Sequence, residues 1–158
     1  MDKTNAMRIL DARGEGYMPH YLPEIPTDGV DAAEKLGADP DTVFKTLVTE
    51  GSDLEHYVFV LPVKETLDLK KAARAAGVKS VSMLPQKKLF PLTGYVHGGC
   101  SPIGMKKSFR TVIDETALLY EEIYTSAGKL GVFLEAAPAS FERVTGATFA
   151  DVTASERR

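Results

Sequence analysis

Cysteine is almost absent from this sequence of 158 residues, which contains Cys100 and no other. A single thiol cannot close a disulfide within the chain or form a CxxC motif for metal binding or redox chemistry. The three histidines (His20, His56 and His97) are scattered and lack the HxH or HxxxH spacing of a metal site. We therefore expect no metal and no cofactor.

Long apolar runs are also missing. The longest spans residues 58–63 and is interrupted by Pro62, whereas a membrane-spanning helix needs roughly 18 apolar residues. The opening MDKTNAMRIL lacks the basic and apolar segments of a secretory signal. We expect a cytoplasmic protein with no membrane partner. The chain length suits one globular domain, which we place at residues 1–158.

Charge is unevenly distributed, although the net charge is only −3. Residues 64–110 contain ten basic and two acidic residues, so this segment carries +8 and the remaining 111 residues carry −11. Such a cluster is either a solvated face or a binding surface for a polyanion such as nucleic acid. Five of the cations are our candidates for nucleic-acid contact: Lys70, Lys71, Arg74, Lys106 and Lys107.

Local signals predict short helices and strands without strict alternation. Helices are expected from the Thr4 cap to Gly14, over 32–36 with an Asp31–Glu34 capping box and Gly37 at its end, from a Thr66 cap to Ala76, and from Pro138 to Gly146. Strands are expected at 17–21, 43–50, 56–62, 78–83, 94–97, 112–113, 123–125 and 132–135, with a helical turn at 115–120. In the 66–76 helix, Leu69 should face inward and Lys71 outward. This mixture indicates an α/β fold with a mixed sheet, curled and partly barrel-like, and short flanking helices.

The stretch VFKTLV, residues 43–48, places a lysine inside an otherwise buried strand. Alternation puts Lys45 on one face of this strand and Thr46 on the other. Such a lysine either snorkels to an edge or meets an anionic or carbonyl group in a cleft. In a cleft it could bind phosphate or, with a lowered pKa, form a Schiff base.

Two small-residue loops could bring bare backbone close to a ligand. HGGCSPIG, residues 97–104, could offer N–H groups to an oxyanion or a sugar hydroxyl. SAGKLG, residues 126–131, is similar, and neither loop matches a phosphate-loop or dinucleotide fingerprint. Cys100 lies three residues from His97, but this spacing alone does not establish a nucleophile, and a semi-buried thiol is the alternative.

Five sequence blocks are distinctive in their order and spacing, and the match that they define runs from about residue 3 to residue 152. They are TNAMRIL, AAEKLGADPDTVFKTLV, LDLKKAARAAG, LTGYVHGGCSPIGMKK and SAGKLG. With these blocks the sequence resembles the YbaK/EbsC family of Cys-tRNA(Pro) deacylases, which is related to the editing insertion domain of bacterial prolyl-tRNA synthetases. The resemblance implies the fold of that editing domain and hydrolysis of mischarged tRNA in trans. The expected partners are mischarged aminoacyl-tRNA and, transiently, prolyl-tRNA synthetase.

The resemblance also implies roles for individual residues. Activity in the family depends on the lysine that corresponds to Lys45, and the family GxxxP loop falls on Gly98 to Pro102. The expected catalytic group is Lys45, Gly98, Gly99, Ser101 and Pro102. The expected substrate-binding group is Tyr21, Thr46, Cys100, Ser126, Gly128 and Phe133. Many relatives have a polar or acidic residue in place of Phe133, so the resemblance does not carry recognition of the substrate amino group over to this position.

The resemblance further implies substrate-assisted chemistry, in which the thiol of the misattached cysteine attacks its own ester. The absence of a Ser-His-Asp set or a metal cluster agrees with this mechanism. Cys-tRNA(Cys) is a second expected substrate. Two alternatives stay open: a deacylase for another small residue, as on Ala-tRNA(Pro), and a non-catalytic module that binds tRNA or a synthetase.

Overall fold

The computed structural model describes residues 2–157. In this range the chain forms eight β-strands and five α-helices, numbered here in chain order. They are α1 Asn5–Ala12, β1 Met18–Tyr21, α2 Gly29–Leu36, β2 Phe44–Gly51, β3 His56–Pro62, α3 Leu69–Ala76, β4 Val81–Met83, α4 Leu89–Thr93, β5 Arg110–Asp114, β6 Ile123–Lys129, β7 Val132–Ala136, α5 Pro138–Thr145 and β8 Thr148–Ala150. Short 3-10 helices lie at Pro40–Thr42, Gln86–Lys88 and Glu115–Leu119.

The strands form two sheets, which one isolated bridge joins. The larger sheet has the order β4-β2-β3-β5-β8, with antiparallel pairing around β2 and parallel pairing of β5 with β3 and β8. The smaller sheet is antiparallel, in the order β1-β7-β6. An isolated parallel bridge between Val43 and Tyr124 joins them. The mixed α/β class is confirmed, but both sheets are open, so the barrel-like part of the prediction is not confirmed.

The two faces of β2 contact different parts of the core. Phe44 and Val48 pack in the larger apolar cluster, together with α1, β6, β7 and the loop of residues 97–104, called here the glycine-rich loop. Leu47 packs on the smaller cluster, which α3 covers. Side-chain direction therefore alternates along β2 as predicted, and Lys45 lies on the same face as Leu47.

Helix starts differ from the prediction in two of four cases, and α5 begins at Pro138 as expected. Thr4 caps α1 and accepts a hydrogen bond from the Met7 N–H, as expected. The cap of α2 is Asp28, three residues before the predicted Asp31. The cap of α3 is Asp68, whose carboxylate accepts from the N–H groups of Lys70 and Lys71 at 3.0 Å each. The predicted capping roles of Asp31 and Thr66 are therefore wrong.

The chain before the glycine-rich loop also differs from the prediction. Residues 94–97 form a turn, and the strand predicted there is wrong. The preceding helix α4 was not predicted, since it has five residues and contains Pro91. It ends at Gly94, whose φ of 85° is a conformation that favours glycine. The short strand β8 was also missed, whereas the β2–β3 hairpin is confirmed.

An ion pair between the end of α1 and α5 makes stability depend on pH. Glu15 accepts two hydrogen bonds from Arg143, at 2.7 and 2.8 Å, and one from Ser140. The Arg143 guanidinium, and then the Ser140 hydroxyl, lower the pKa of Glu15 from 4.5 to about 2. A lowered carboxyl pKa stabilises the fold above pH 4.5, and the effect is lost as the pH falls towards 2. We expect the thermal midpoint of Glu15→Gln to lie below that of wild type at pH 6, and the gap to close near pH 2. A gap that is constant with pH would contradict this assignment.

Candidate active site

Lys45 projects from β2 without a carboxylate partner. Its ammonium donates a 3.4 Å hydrogen bond to the carbonyl oxygen of Val63. Among residues 2–157 no carboxylate oxygen lies within 4.0 Å of it. Burial lowers the pKa of Lys45 below its usual 10.5, and the charge of Glu65 opposes this shift. The side chain is thus a half-buried cation that can meet an additional oxygen ligand.

The register of the strands places Lys45 level with Ser126. β2 and β6 run parallel from the Val43–Tyr124 bridge, and both residues lie two positions beyond it. Residues at equal steps along paired parallel strands share a face, so both side chains lie on one side. No further ladder pair joins β2 to β6 among residues 2–157, and β4 pairs with β2 only from Thr49 onwards. The edge of β2 around Thr46 is therefore open.

Thr46 supplies an unused polar group at this edge. Its hydroxyl oxygen is buried and is the one side-chain atom among the described residues that is buried without a hydrogen-bond partner. By alternation it lies on the opposite face from Lys45. A buried hydroxyl without a partner is unfavourable.

Ser126 and Phe133 form the neighbouring part of the site. They are direct partners in the antiparallel β6–β7 pair, so they share the face of Lys45. Phe133 is buried and offers an apolar wall. The Ser126 hydroxyl accepts a 3.2 Å hydrogen bond from the Gly128 N–H, within the bulge at the end of β6. The register thus puts Lys45, Ser126 and Phe133 on one face of neighbouring strands.

A carboxylate on this face was missed by the sequence analysis. Glu135 lies two residues beyond Phe133, and its Oε1 is 3.0 Å from Nε2 of His20. It borders a surface cavity of about 400 Å³ together with Tyr124. Alternation from Phe133 was the signal that could have identified it. Glu135 can accept a hydrogen bond from an ammonium group that enters this cavity.

Lys45 lines neither the 400 Å³ cavity nor a second cavity of about 520 Å³. A ligand that contacts Lys45 would lie along the edge of β2.

The two small-residue loops pack against each other. A Cβ atom on Gly99 would lie 3.3 Å from the Leu130 nitrogen and 3.4 Å from the Lys129 carbonyl carbon. A Cβ on Gly128 would lie 2.9 Å from the ring of Tyr95. Only glycine allows backbone and ring to approach this closely. The glycine-rich loop is therefore fixed against the turn between β6 and β7.

Backbone donors of this loop remain available. The N–H of Gly99 donates to the Val96 carbonyl at 3.0 Å and is already used. The N–H groups of Gly98, Cys100 and Ser101 donate to no acceptor among residues 2–157. Cys100 and Ser101 are buried, whereas Gly98 is exposed. Unpaired N–H groups shielded from water are donors that can stabilise a developing oxyanion.

The side chains that follow Gly99 in the loop face inward, whereas His97 is exposed. Ser101 is fully buried, and its hydroxyl accepts from the Ile103 N–H at 3.1 Å. Pro102 is buried, and Cys100 is 7% exposed in the larger apolar cluster. The loop can therefore contribute backbone atoms to a site, while its side chains hold it in place.

The buried Cys100 should be chemically inert. Burial raises the pKa of its thiol from 9.0 to about 12, so the reactive thiolate is scarce near neutral pH. We expect iodoacetamide to modify Cys100 slowly in the folded protein at pH 8 and rapidly in 6 M guanidinium chloride, as followed by mass spectrometry. Equal rates in both states would show that the thiol is accessible and would contradict this assignment.

Tyr21 lies on a different face from two of the predicted substrate-binding residues, Phe133 and Ser126. Its hydroxyl donates to the Asp2 carbonyl at 3.1 Å and approaches the Met7 sulfur at 3.5 Å. It pairs with Val132, while the adjacent His20 pairs with Phe133. The structure therefore places Tyr21 on the face opposite Phe133 and Ser126.

The predicted nucleic-acid contacts fall into two groups. On α3, Lys70 and Arg74 are exposed, but Lys71 binds Asp151 at 2.9 Å and the Thr153 carbonyl at 2.7 Å. The outward orientation predicted for Lys71 is therefore wrong. Leu69 was predicted to face inward, but it is exposed.

The second group, Lys106 and Lys107, follows the glycine-rich loop and is exposed. The Lys106 ammonium lies 5.4 Å from the centroid of the Phe90 ring.

Two other classes of site are absent from the part of the chain that the structure describes. Residues 2–157 contain no group of three His, Cys, Asp or Glu side chains that could hold a metal ion. No helix in this range combines the length and the apolar content needed to cross a bilayer.

Known proteins share this architecture and sequence. The family model of the aminoacyl-tRNA editing domain matches residues 23–144. An Enterococcus faecalis protein named "Putative Cys-tRNA(Pro)/Cys-tRNA(Cys) deacylase EbsC" is 44% identical over 156 residues, covering 98% of this chain and 95% of the relative. The proline–tRNA ligase of Shouchella clausii is 33% identical over 76 residues, which are 48% of this chain and 13% of the ligase.

A solved structure supports the same relationship. A protein described as "a putative trans-editing enzyme for prolyl tRNA synthetase" superposes with a TM-score of 0.85 and 28% identity. The match covers 98% of this chain and 100% of the other.

Proposed function

Because this chain belongs to the aminoacyl-tRNA editing domain family, we propose that it is a trans-editing deacylase that clears Cys-tRNA(Pro), and also Cys-tRNA(Cys). The observation that carries this proposal is the 44% identity to a relative named for that activity, over nearly the full length of both chains. Residues 1–158 act as one editing domain in the cytoplasm. The partial match to a proline–tRNA ligase supports a transient association with prolyl-tRNA synthetase.

The proposed reaction uses the thiol of the substrate as the nucleophile. Its sulfur attacks the carbonyl carbon of its own ester, so an S–C bond forms and the C–O bond to the terminal ribose breaks. The thiol proton ends on the released ribose oxygen, and the products are uncharged tRNA and a cysteine thiolactone. No protein nucleophile is needed, which agrees with the burial of Cys100 and Ser101.

The protein contributes positioning and charge stabilisation in this mechanism, both of which are large catalytic effects. Lys45 holds the ester end or the terminal phosphate and ribose, because its ammonium lacks a carboxylate partner. The free N–H groups of Gly98, Cys100 and Ser101 face the developing oxyanion or orient the ribose hydroxyl. Gly99 and Pro102 keep this loop in shape.

Selection of cysteine follows from size and from the polar groups at the edge. Cysteine and proline are close in size, so a synthetase pocket rejects cysteine weakly and a second site becomes useful. Phe133 forms an apolar wall beside Ser126, and the unpaired Thr46 hydroxyl is available to the substrate. Phe133 has no polar group for the α-ammonium of the substrate, and Glu135 offers a carboxylate for it instead.

The test is a panel of purified mischarged tRNAs, including Cys-tRNA(Pro), Cys-tRNA(Cys) and Ala-tRNA(Pro), incubated with the wild-type protein. We expect loss of the cysteinyl ester and release of thiolactone, detected by mass spectrometry after trapping with an amine. Preferential cleavage of Ala-tRNA(Pro) would overturn the substrate assignment. Release of free cysteine without thiolactone would overturn the thiol-assisted mechanism. No cleavage of any ester would reject the enzyme.

A further inference from the structure

A second basic surface lies at the base of the glycine-rich loop. We call it the α4 platform, and it consists of Lys87, Lys88, Phe90, Lys106 and Lys107. Lys87 and Lys88 line the surface cavity of about 520 Å³. The acidic residue in its lining, Glu50, is 3.5 Å from His56. Among residues 2–157 none of the four platform lysines has a carboxylate within 4.0 Å.

The platform also exposes an aromatic ring. Phe90 is 56% exposed on α4, although a phenylalanine normally packs inside. The Lys106 ammonium lies 5.4 Å from the ring centroid. Exposed aromatic rings next to cations are the combination with which proteins bind unpaired nucleotides, because a base stacks on the ring while the phosphate meets the charge.

The platform is joined directly to the candidate active site. The Lys106 N–H donates to the Thr93 carbonyl at 3.0 Å. This hydrogen bond closes the segment 94–105, which contains the glycine-rich loop, at its base. The tip of this loop lies against the turn between β6 and β7, at Gly99. A chain that follows the loop from its tip to its base therefore passes from the candidate site to the platform.

The alternative basic surface on α3 is weaker. The Lys71 ammonium already donates hydrogen bonds to Asp151 and to two backbone carbonyls. Two exposed cations therefore remain on α3, Lys70 and Arg74. α3 also lacks a large exposed aromatic ring. Charge and stacking surface together favour the α4 platform.

We propose that the α4 platform binds the unpaired 3′ end of the tRNA, with its lysines on the phosphates and one base stacked on Phe90. The inference rests on the proposed function, since it takes the nucleic acid of that substrate as the ligand. The platform positions the acyl end and takes no part in bond cleavage.

The test measures binding of uncharged tRNA and of a short oligoribonucleotide ending in CCA by fluorescence anisotropy. We expect the Lys87→Glu/Lys88→Glu double variant to bind at least tenfold more weakly at 0.15 M salt, with a shallower salt dependence, because two phosphate contacts are lost. Phe90→Ala should weaken binding of the oligoribonucleotide about fivefold or more. The matched control Arg8→Glu/Lys79→Glu makes the same charge change at exposed positions elsewhere and should alter binding less than twofold.

Two outcomes would overturn the platform. One is wild-type affinity of the Lys87→Glu/Lys88→Glu variant after circular dichroism has shown that it is folded. A greater loss from Lys70→Glu/Arg74→Glu would move the contact to α3.

In deacylation assays the platform variants should raise KM and leave kcat unchanged. Binding of uncharged tRNA needs no catalysis, so an inactive wild type that still binds through the platform rejects the proposed function alone.

Discussion

Deacylation of Cys-tRNA(Pro) should fall by about 10²- to 10³-fold in a Lys45→Met variant, the size of effect seen when a donor to a developing charge is removed. Methionine keeps the apolar stem of the side chain and removes the ammonium that lies 3.4 Å from the Val63 carbonyl. The loss should appear in the rate constant for cleavage under single-turnover conditions, because the contact acts on the reacting end of the substrate.

Stability should not follow activity in this variant. Burial lowers the pKa of Lys45 below 10.5, so the folded state disfavours the charged form. For such a group the penalty is complete at neutral pH and disappears as the pH rises through 10.5. The free energy of unfolding of Lys45→Met at pH 7, as measured by urea denaturation, should therefore be at least equal to that of wild type.

The matched control for this experiment is Lys64→Met, which removes an exposed lysine 3.9 Å from Asp41. It should keep wild-type activity. A Lys45→Met protein that cleaves the ester as fast as Lys64→Met would remove Lys45 from the mechanism.

The second large effect is expected from Gly128→Ala. Gly128 has a φ of 102°, and a Cβ atom there would lie 2.9 Å from the buried ring of Tyr95. Backbone strain costs about 1–2 kcal/mol, and crowding against a packed ring adds about 1–3 kcal/mol. Movement of Tyr95 would displace the glycine-rich loop, so we expect lost deacylation together with a lower free energy of unfolding.

Gly37→Ala separates the two contributions. Gly37 also has a positive φ, 67°, but a Cβ atom there meets nothing within 4 Å. This variant should show the strain alone, about 1–2 kcal/mol, with unchanged activity. If urea denaturation gives equal losses for Gly37→Ala and Gly128→Ala, the contact with Tyr95 has no energetic role.

Local patterns were sufficient for the elements whose signals do not depend on distant residues. The β2–β3 hairpin follows from alternating apolar residues on both sides of a short turn, and Gly77 ends α3 because it can adopt a positive φ. Choosing between neighbouring caps was harder. Thr66 and Asp68 are both good capping residues, and the final position of α3 selected Asp68.

Other features depend on contacts between distant parts of the chain. Lys71 turns towards Asp151, 80 residues later, which no local pattern indicates. Tyr95 and Val96 suggest a strand, but the positive φ angles of Gly94 and Gly98 make a turn. The resemblance named Lys45 and Ser126 separately, whereas their common level on the sheet follows from the Val43–Tyr124 bridge.

That bridge has a consequence for how rigidly β2 and β6 are held beside Lys45. The two sheets also share the larger apolar cluster, in which Phe44 and Val48 of one sheet pack together with Ile123 and Leu134 of the other. A change in the angle between the sheets would therefore have to repack this cluster, and close-packed cores resist such changes. A substitution at Val43 or Tyr124 that altered the distance between β2 and β6 should accordingly lower the free energy of unfolding as well.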